Sequence, residues 1–228
     1  MMQRKNFLRR RFEWLAAALF AAAIALCFSL STAAQQNPPA SPAPQANPGP
    51  PPNPAEQITA PGLNNAARVS GNLYRGAQPK SDGYAELKKM GIDVVVSFLD
   101  GNHDIQKEKD LVESAGMTFI SVPWNGAHDP PRSSVAAFFG ALHDNEGKKI
   151  FVNDLQGGDR TGLMVALYRI VHDHWTAEQA EAEMNDFHYH KHLFPHMARY
   201  VEAFPALLAS DPGILTGGPP PAPAASKN

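Results

Sequence analysis

Short apolar runs alternate with amphipathic stretches between Leu63 and Ser210, and this alternation constrains the fold more than any other feature of the sequence. The run IDVVVSFL at 92–99 is nearly continuous and β-branched, as expected of a strand that is covered on both faces. The stretch DIQKEKDLVESAG at 104–116 instead has the period of a helix. Because parallel strands are joined by helical crossovers, the alternation predicts a single α/β domain with a central, mostly parallel sheet flanked by helices.

The same patterns predict the other elements of this domain. Thr176 and Gln179 have the spacing of a capping box, which predicts a helix that begins after Thr176. Further strands are predicted at 72–78 (NLYRGAQ, taken as an edge strand), 117–123 and 148–153, and further helices at 81–91, 132–143, 160–174, 176–187 and 195–209.

The first 34 residues have the layout of a secretory signal peptide. Five basic residues precede an apolar run that extends from Trp14 to about Leu30, and small residues follow up to Ala34. We therefore predict a periplasmic or secreted protein that is cleaved after Ala34. The alternative is an uncleaved signal that anchors the chain in the inner membrane, although the apolar run is short for a spanning helix.

Removal of residues 1–34 changes the chemistry of the chain. It leaves 15 basic and 21 acidic residues, a formal charge of −6, which makes a nucleic-acid partner a poor match because the phosphate backbone would be repelled. Cys27 is the only cysteine among the 228 residues, so the mature protein would contain neither a thiol nor a disulfide.

Two proline-rich segments flank the predicted domain. Residues 35–62 and 211–228 are dense in proline and nearly uncharged, a composition that favours extended backbone without a packed core. We predict a disordered linker at 35–62, the folded domain at 63–210 and a disordered tail at 211–228.

The segment FVNDLQGGDRTGLMVALYRI at 151–170 has the layout of a phosphate-binding loop. A buried strand leads into a glycine-containing loop that opens a helix, whose first amides favour an anion. Gly157 and Gly158 allow the backbone to curl around an anion, and Arg160 offers a bidentate guanidinium. On glycine content alone, a tight turn followed by an ordinary surface arginine is an equally good interpretation.

The loop NDLQGGDRTG resembles the signature loop of the cysteine-dependent tyrosine and dual-specificity phosphatases, in which a histidine and the nucleophilic cysteine precede five residues, an arginine and a serine or threonine. SGNLYRGAQP and GIDVVVSFL are similar to the opening of the bacterial branch of that family, and the resemblance extends over roughly 69–200. It implies the fold of that family, with Arg160 and Thr161 as catalytic residues. It also implies a phosphate-binding loop formed by Leu155, Gln156, Gly157, Gly158, Asp159 and Arg160.

Asp154 occupies the position of the catalytic cysteine, and Asn153 the position of the preceding histidine. In the family a thiolate attacks phosphorus, and an aspartate from a mobile loop protonates the leaving group. That route is closed in the predicted mature chain, which contains no thiol. The Asp154 carboxylate could act as the nucleophile instead, or it could lie in the loop as a built-in anion that faces Arg160 and repels phosphate.

Other candidates lie outside the loop. The resemblance places the general acid in VPWNGAHDPP, where Asp129 is the candidate, with His128 as a substitute and a helix cap as the alternative role of Asp129. Trp124 either lines the pocket or belongs to the core. The spacing of His188, His192 and His196 would place them on one helical face able to hold zinc or copper, but Pro195 interrupts that helix and we favour structural packing.

These residues predict a secreted phosphatase-like protein without a cysteine nucleophile, which is a pseudophosphatase or a weakly active binder of phosphate ligands. The first alternative is an active phosphomonoesterase, of the protein tyrosine or phosphoinositide type, that uses Asp154 or water. The second is a non-catalytic module for interactions in the cell envelope. The expected ligands are a phosphorylated protein, a phosphoinositide or another phosphomonoester, and we predict neither a cofactor nor a metal.

Overall fold

The structure, a computed structural model, describes residues 49–218. The predicted signal peptide at 1–34 lies outside these residues, as do the first half of the predicted linker (35–48) and the last ten residues of the predicted tail (219–228). The described part contains the strands β1 (Glu56–Ala60), β2 (Leu63–Arg68), β3 (Leu73–Ala77), β4 (Val94–Ser97), β5 (Thr118–Ser121) and β6 (Ile150–Asp154). Its α-helices are α1 (Gly83–Lys89), α2 (Asn102–Ser114), α3 (Arg132–Asp144), α4 (Arg160–His172), α5 (Ala177–Asp186) and α6 (Pro195–Ser210).

The six strands form one sheet in the order β1, β2, β3, β6, β4, β5. Strands β3, β6, β4 and β5 are parallel, whereas β1 and β2 join antiparallel at one side. The predicted α/β fold with a mostly parallel central sheet is therefore confirmed. In the register, Asn153 of β6 lies opposite both Gly76 of β3 and Ser97 of β4, so the carboxyl ends of these three strands meet at one edge of the sheet.

The prediction of an edge strand at 72–78 was wrong. Strand β3 lies inside the sheet, between β2 and β6, and all five of its residues are buried. The reason is the hairpin of β1 and β2, which covers the side of β3 that faces away from β6. Among the described residues, the outer strands of the sheet are β1 and β5.

Two of the predicted domain boundaries also need correction. The predicted linker at 35–62 contains β1, whose residues EQITA pair with β2 in spite of the prolines before them. The predicted tail at 211–228 begins with a 3₁₀ helix, Pro212–Leu215, which buries Ile214 against the core. Asp211 accepts two hydrogen bonds from the guanidinium of Arg132, at 2.7 and 3.0 Å, and thereby ties this turn to α3.

The two faces of the sheet are both covered, as the apolar strands predict. Val94 and Val96 of β4 face a core formed with α3, α4 and α6, and Val95 between them faces a second core formed with α1 and α2. Phe151 of β6 belongs to this second core. Each face of β4 and β6 is therefore packed against helices.

Helix α5 begins as predicted, because Thr176 and Gln179 form a complete capping box. A buried ion pair joins α5 to α4: Arg169 donates two hydrogen bonds to Glu183, at 2.7 and 3.1 Å, and stacks over the ring of Trp175. Between residues 49 and 218, no helix combines the length and the apolarity that a bilayer crossing requires.

Candidate functional site

The loop at 155–159 connects the end of β6 to the start of α4, at the edge where the parallel strands end. Gly157 has a φ of 75°, and a side chain there would collide with the backbone of Gly76 and Ala77 in β3. A side chain at Gly158 would likewise lie 2.6 Å from the carbonyl oxygen of His188. Only glycine fits at these two positions, because the loop is held between β3 and the connection that follows α5.

The carboxylate of Asp154 lies inside this loop and is only 3% exposed. One of its oxygens, Oδ1, accepts a hydrogen bond from the amide of Gly157. The other, Oδ2, accepts one from the amide of Arg160 at 2.9 Å. The side chain thus takes up two of the donors that a loop at a helix N-terminus offers to an anion, and it contributes its own negative charge at that point.

The remaining donors of the loop are not used in the same way. The amides of Leu155, Gln156, Gly158 and Asp159 donate no hydrogen bond to any group within residues 49–218. Three of these residues, Leu155, Gln156 and Asp159, line the cavity at the mouth of the loop. Asp154 therefore accepts hydrogen bonds from some of the amides at the loop and leaves the others available to an external acceptor.

Arg160 is the first residue of α4, and its guanidinium is fixed by groups from two other loops. Nη1 donates to the carbonyl oxygen of Phe98 at 2.8 Å and to that of Trp124 at 3.3 Å. The same nitrogen lies 3.1 Å from Oδ1 of Asp100, while Nε lies 3.8 Å from Oδ2 of Asp154. The arginine is thus positioned between two carboxylates at the wall of the cavity.

The cavity above the loop has a volume of about 470 Å³. Its ionisable lining comprises three carboxylates, those of Asp100, Asp154 and Asp159, together with the guanidinium of Arg160 and the imidazole of His190. Its rim is apolar and includes the two large hydrophobic side chains that are most exposed in the described part, Leu155 at 59% and Leu193 at 71%. The other lining residues are Asn125, Gly126, Ala127, Gln156, Phe194 and Met197.

Asp159, directly before Arg160, is held by the segment that follows α5. Its Oδ1 accepts a hydrogen bond from the backbone amide of His190 at 2.8 Å, and its Oδ2 lies 3.0 Å from Nδ1 of the same residue. The connection between α5 and α6 is thereby tied to the loop, and the imidazole of His190 is brought to the cavity wall.

Arg75 of β3 supports the loop from behind. It is fully buried, and its Nη2 donates to the carbonyl oxygen of Gly157 at 2.9 Å. The guanidinium lies 4.1 Å from the centroid of the Phe187 ring. Burial lowers the pKa of Arg75 to about 10, while the carboxylates of Glu183 and Asp154 oppose this effect. A positive charge therefore lies beneath the loop, outside the cavity lining.

A second buried network fixes the end of β6. Asn153, at the position before Asp154, donates from Nδ2 to Oε1 of Glu108 at 2.7 Å, and the hydroxyl of Ser97 donates to Oε2 at 2.5 Å. Glu108 belongs to α2 and is fully buried. Burial raises the pKa of Glu108, although its hydrogen bonds to Ser97 and Asn153 act in the opposite direction.

The structure brings together only some of the residues that the sequence singled out. Asp154, Leu155, Gln156, Asp159 and Arg160 line one cavity, and Gly157 and Gly158 shape the loop. Thr161 is fully buried, with an Oγ1 that has no hydrogen-bond partner in the described part. Trp124 is buried and contributes its backbone carbonyl, rather than its ring, to the site. The catalytic and binding roles of these residues stay predictions.

Asp129, the predicted general acid, is not brought to the cavity. It is exposed, does not belong to the lining, and lies near Tyr200, whose pKa is raised to about 12 by burial and by the charge of Asp129. His128 is also exposed and outside the lining. Asp100 and His190 line the cavity but were not predicted. The sequence did contain an indication of Asp100, because this residue follows the buried strand β4 just as the phosphate-binding loop follows β6.

The predicted helical face of His188, His192 and His196 does not exist in the structure. Helix α6 begins at Pro195, so His188 and His192 lie in the preceding connection, where His188 has a φ of 64°. His196 instead contacts the carbonyl oxygen of Gly126, at 3.1 Å. Within residues 49–218, no group of three or more histidine, cysteine, aspartate or glutamate side chains is arranged to hold a metal ion.

Comparisons with known proteins identify similar sequences and a similar fold. The family model PTP-NADK, described as a DSP-PTPase phosphatase fused to NAD+ kinase, matches residues 53–195. The dual specificity protein phosphatase TpbA of Pseudomonas aeruginosa strain UCBPP-PA14 is 30% identical over 122 residues, which are 53% of this chain and 53% of that protein. The chain therefore spans about half the length of this curated relative.

Solved structures show the same fold. A crystal structure of P. aeruginosa TpbA aligns with a TM-score of 0.57 at 24% identity, over 69% of this chain and 98% of that one. A crystal structure of a TpbA variant in complex with phosphotyrosine aligns with a TM-score of 0.55 at 26% identity, over 66% of this chain and 89% of that one.

Proposed function

Because the chain belongs to the dual-specificity (DSP-PTPase) phosphatase family, we propose that it is a pseudophosphatase, a member that binds an oxyanion ligand without hydrolysing it. The observation that carries this proposal is the position of the Asp154 carboxylate, which accepts the amides of Gly157 and Arg160 within the phosphate-binding loop. The thiolate that the resemblance implies at this position is thereby replaced by a carboxylate whose two oxygens already accept hydrogen bonds.

Electrostatics support a weakened site. Two unit charges about 4 Å apart interact by about 4 kcal/mol at an effective dielectric of 20, so a phosphate above Asp154 meets substantial repulsion. Asp100 and Asp159 add negative charge to the same cavity, and Asp100 lies 3.1 Å from the guanidinium that would otherwise bind the phosphate. Phosphate binding is therefore expected to be weak in the unaltered chain.

The loop nevertheless keeps features of an oxyanion site. Several of its amides are unused within the described residues, and Arg160 lies at the cavity wall. A related TpbA variant was crystallised with phosphotyrosine. We propose that the natural ligand is a phosphorylated protein, a phosphoinositide or another ester of similar chemistry, held by the loop without turnover.

A second candidate function is phosphomonoester hydrolysis by Asp154 or a bound water. The unused amides of Leu155, Gln156 and Asp159 favour it, because donors of this kind stabilise the charge that develops in a phosphoryl-transfer transition state. The hydrogen bonds to Asp154 oppose it, since they lower the nucleophilicity of the carboxylate and hold it within the loop.

We also propose that the mature protein acts outside the cytoplasm, in the periplasm or as a secreted protein. Support comes from residues 1–34, in which basic residues precede an apolar run and a small-residue cleavage site. An uncleaved signal would instead anchor the domain in the inner membrane. In either case, a non-catalytic module of the cell envelope is the remaining alternative if the loop binds no ligand.

The test is an assay of aryl phosphate turnover and of phosphate binding on the purified protein. We expect no phosphate release above the buffer rate, together with weak, saturable binding that is lost in Arg160→Ala. Turnover that disappears in both Arg160→Ala and Asp154→Asn would support the second candidate and contradict the proposal. Absence of both turnover and binding would leave the envelope module.

A further inference from the structure

We propose that the cavity selects ligands with a single negative charge, such as aryl sulfate esters, over doubly charged phosphate monoesters. This inference rests on the proposed function, because it assumes that the loop retains its ligand intact. It narrows the ligands of the proposed function by charge: among the esters that the loop could hold, those with one negative charge bind more tightly than phosphate dianions. The selectivity follows from the donors, the charges and the rim of one cavity.

The donors of the cavity require a ligand with oxygen acceptors. The amides of Leu155, Gln156 and Asp159 belong to residues of the lining and donate to no group within the described part of the chain. The guanidinium of Arg160 uses Nη1 for its contacts with Phe98 and Trp124. A ligand without acceptor oxygens would leave the loop amides without partners when it excluded water from the cavity.

The charges of the cavity limit how negative that ligand can be. Asp154 already places one negative charge inside the loop, and Asp100 and Asp159 add two more in the lining. Against these stands one permanent cation in the lining, Arg160, which lies 3.1 Å from Asp100. Because electrostatic repulsion scales with the charge of the ligand, a dianion is penalised about twice as strongly as a monoanion at the same position.

A further cation, Arg75, lies behind the loop and makes a single negative charge tolerable. Arg75 donates to the carbonyl oxygen of Gly157 from beneath the loop, and the charge of Asp154 opposes the lowering of the pKa of Arg75 by burial. In a loop with a neutral residue at 154 the same cations would suit a dianion, so the carboxylate of Asp154 is the group that shifts the preference.

The rim favours an organic ester over an inorganic ion. Leu155 and Leu193 are strongly exposed and flank the cavity, and the partly buried Phe194 adds apolar surface to the lining. Burial of an aromatic ring against these side chains would contribute to binding, while the oxyanion contacts the loop. A volume of about 470 Å³ lies within the range of small-molecule sites and accommodates a substituted phenyl group.

The test compares the affinities of the full chain for phenyl sulfate, phenyl phosphate and phenol by isothermal titration calorimetry near neutral pH. Phenyl phosphate is mostly a dianion under these conditions, since the second pKa of a phosphate ester is about 6. We expect phenyl sulfate to bind about tenfold more tightly than phenyl phosphate, and phenol to bind more weakly than phenyl sulfate.

Variants identify the group responsible. Asp154→Asn keeps the shape of the side chain but removes its charge, so the preference for phenyl sulfate should disappear or reverse. Asp154→Ser tests the same point if the asparagine variant is unstable. Asp144→Asn removes one negative charge from the exposed end of α3, outside the cavity, and should leave the preference unchanged.

Three results would overturn the inference: equal or tighter binding of phenyl phosphate by the unaltered chain, equal binding of phenol and phenyl sulfate, and no binding of any of the three. Release of inorganic phosphate is measured in the same samples. Turnover with the selectivity intact would contradict the pseudophosphatase proposal alone, whereas loss of selectivity without turnover would contradict this inference alone.

Discussion

Asp154 and Glu108 are two buried carboxylates near the end of β6, but their surroundings differ. Asp154 accepts two backbone amides at the start of α4, where the helix favours negative charge. Glu108 accepts one amide side chain and one hydroxyl in the core, and burial raises its pKa. At the scale of single residues, the first carboxylate lies among backbone donors at the start of a helix, whereas the second lies in a core that disfavours its charged form.

We predict that Glu108→Gln removes a pH-dependent loss of stability. Glu108 has a raised pKa in the folded chain, so its contribution is fully present below the unfolded value of about 4.5 and is lost as pH rises through the folded value. Relative to the unaltered chain, Glu108→Gln should therefore gain stability as pH rises from about 4.5, measured by urea unfolding at several pH values.

The control for this series is Glu113→Gln on the same helix, which removes an exposed ion pair with Lys109. Its effect should be less than about 1 kcal/mol at any pH. If the stability of Glu108→Gln and that of the unaltered chain change in parallel with pH, Glu108 does not favour its neutral form in the folded protein.

At the scale of elements, β6, the loop and α4 form one unit that two other elements hold in place. Arg75 of β3 supports the loop from below, and α5 is joined to α4 by the pair of Arg169 and Glu183. Glu183 also accepts a hydrogen bond from the backbone amide of Ala55, at 2.9 Å, next to β1. The start of the described chain is therefore tied to the helices behind the site.

We predict that Glu183→Leu destabilises the fold by about 3 kcal/mol or more, because it leaves the guanidinium of Arg169 buried with only Asp173 as an ionic partner. Adding Arg169→Met should recover part of this loss, since the double variant buries no unpaired charge. Asp173→Asn, which removes the more exposed partner of the same arginine, should cost about 1 kcal/mol or less. Urea unfolding measures all three, and a double variant less stable than Glu183→Leu would contradict this explanation.

The helices and strands were predictable where the pattern of a few consecutive residues determines them. They were not predictable where they depend on pairing between strands that are distant in the sequence. The apolar run of β4 and the capping box of α5 are properties of a few consecutive residues, and both appear in the structure. Strand β3 was assigned to an edge because nothing in its own sequence shows that the hairpin of β1 and β2 covers it. Strand β1 itself, EQITA, follows a proline-rich stretch and has no strong apolar pattern.

The candidate site shows the same division. Asp154, Gly157 and Arg160 were predictable because one loop contains them all and resembles a known signature. Asp100 and His190 come from other parts of the chain and reach the cavity only through the pairing of β4 with β6 and the hydrogen bond from His190 to Asp159. Asp129 is the candidate because the resemblance places the general acid in VPWNGAHDPP, and the position of that loop along the chain does not determine which way its side chains turn.

At the scale of the whole molecule, the folded unit extends beyond the predicted domain of 63–210 at both ends. Strand β1 adds to the sheet, and the 3₁₀ turn after α6 buries Ile214 and pairs Asp211 with Arg132. These additions complete the edge of the sheet next to β2 and one end of the core around α3.

We predict that a chain of residues 49–218 unfolds at a higher temperature than a chain of residues 63–210. The shorter chain loses the pairing of β1, the contact of Ala55 with Glu183 and the burial of Ile214, which together should cost at least about 3 kcal/mol. For a protein of this size that corresponds to a decrease in Tm of about 6 °C or more, measured by calorimetry. The chains 49–210 and 63–218 separate the two ends, and equal Tm values for all four would show that neither end contributes.

The central claim is that the loop and Arg160 still form a phosphate-binding site in which Asp154 occupies the predicted position of the nucleophile, and its most direct test is the rate of aryl phosphate hydrolysis by Asp154→Cys. A thiolate at this position would be stabilised by the helix N-terminus and by Arg160, and it would remove the built-in carboxylate. We predict phosphate release about tenfold or more above that of the unaltered chain, and its loss when Arg160→Ala is added. An Asp154→Cys variant that folds normally but is no faster than the unaltered chain would contradict the claim.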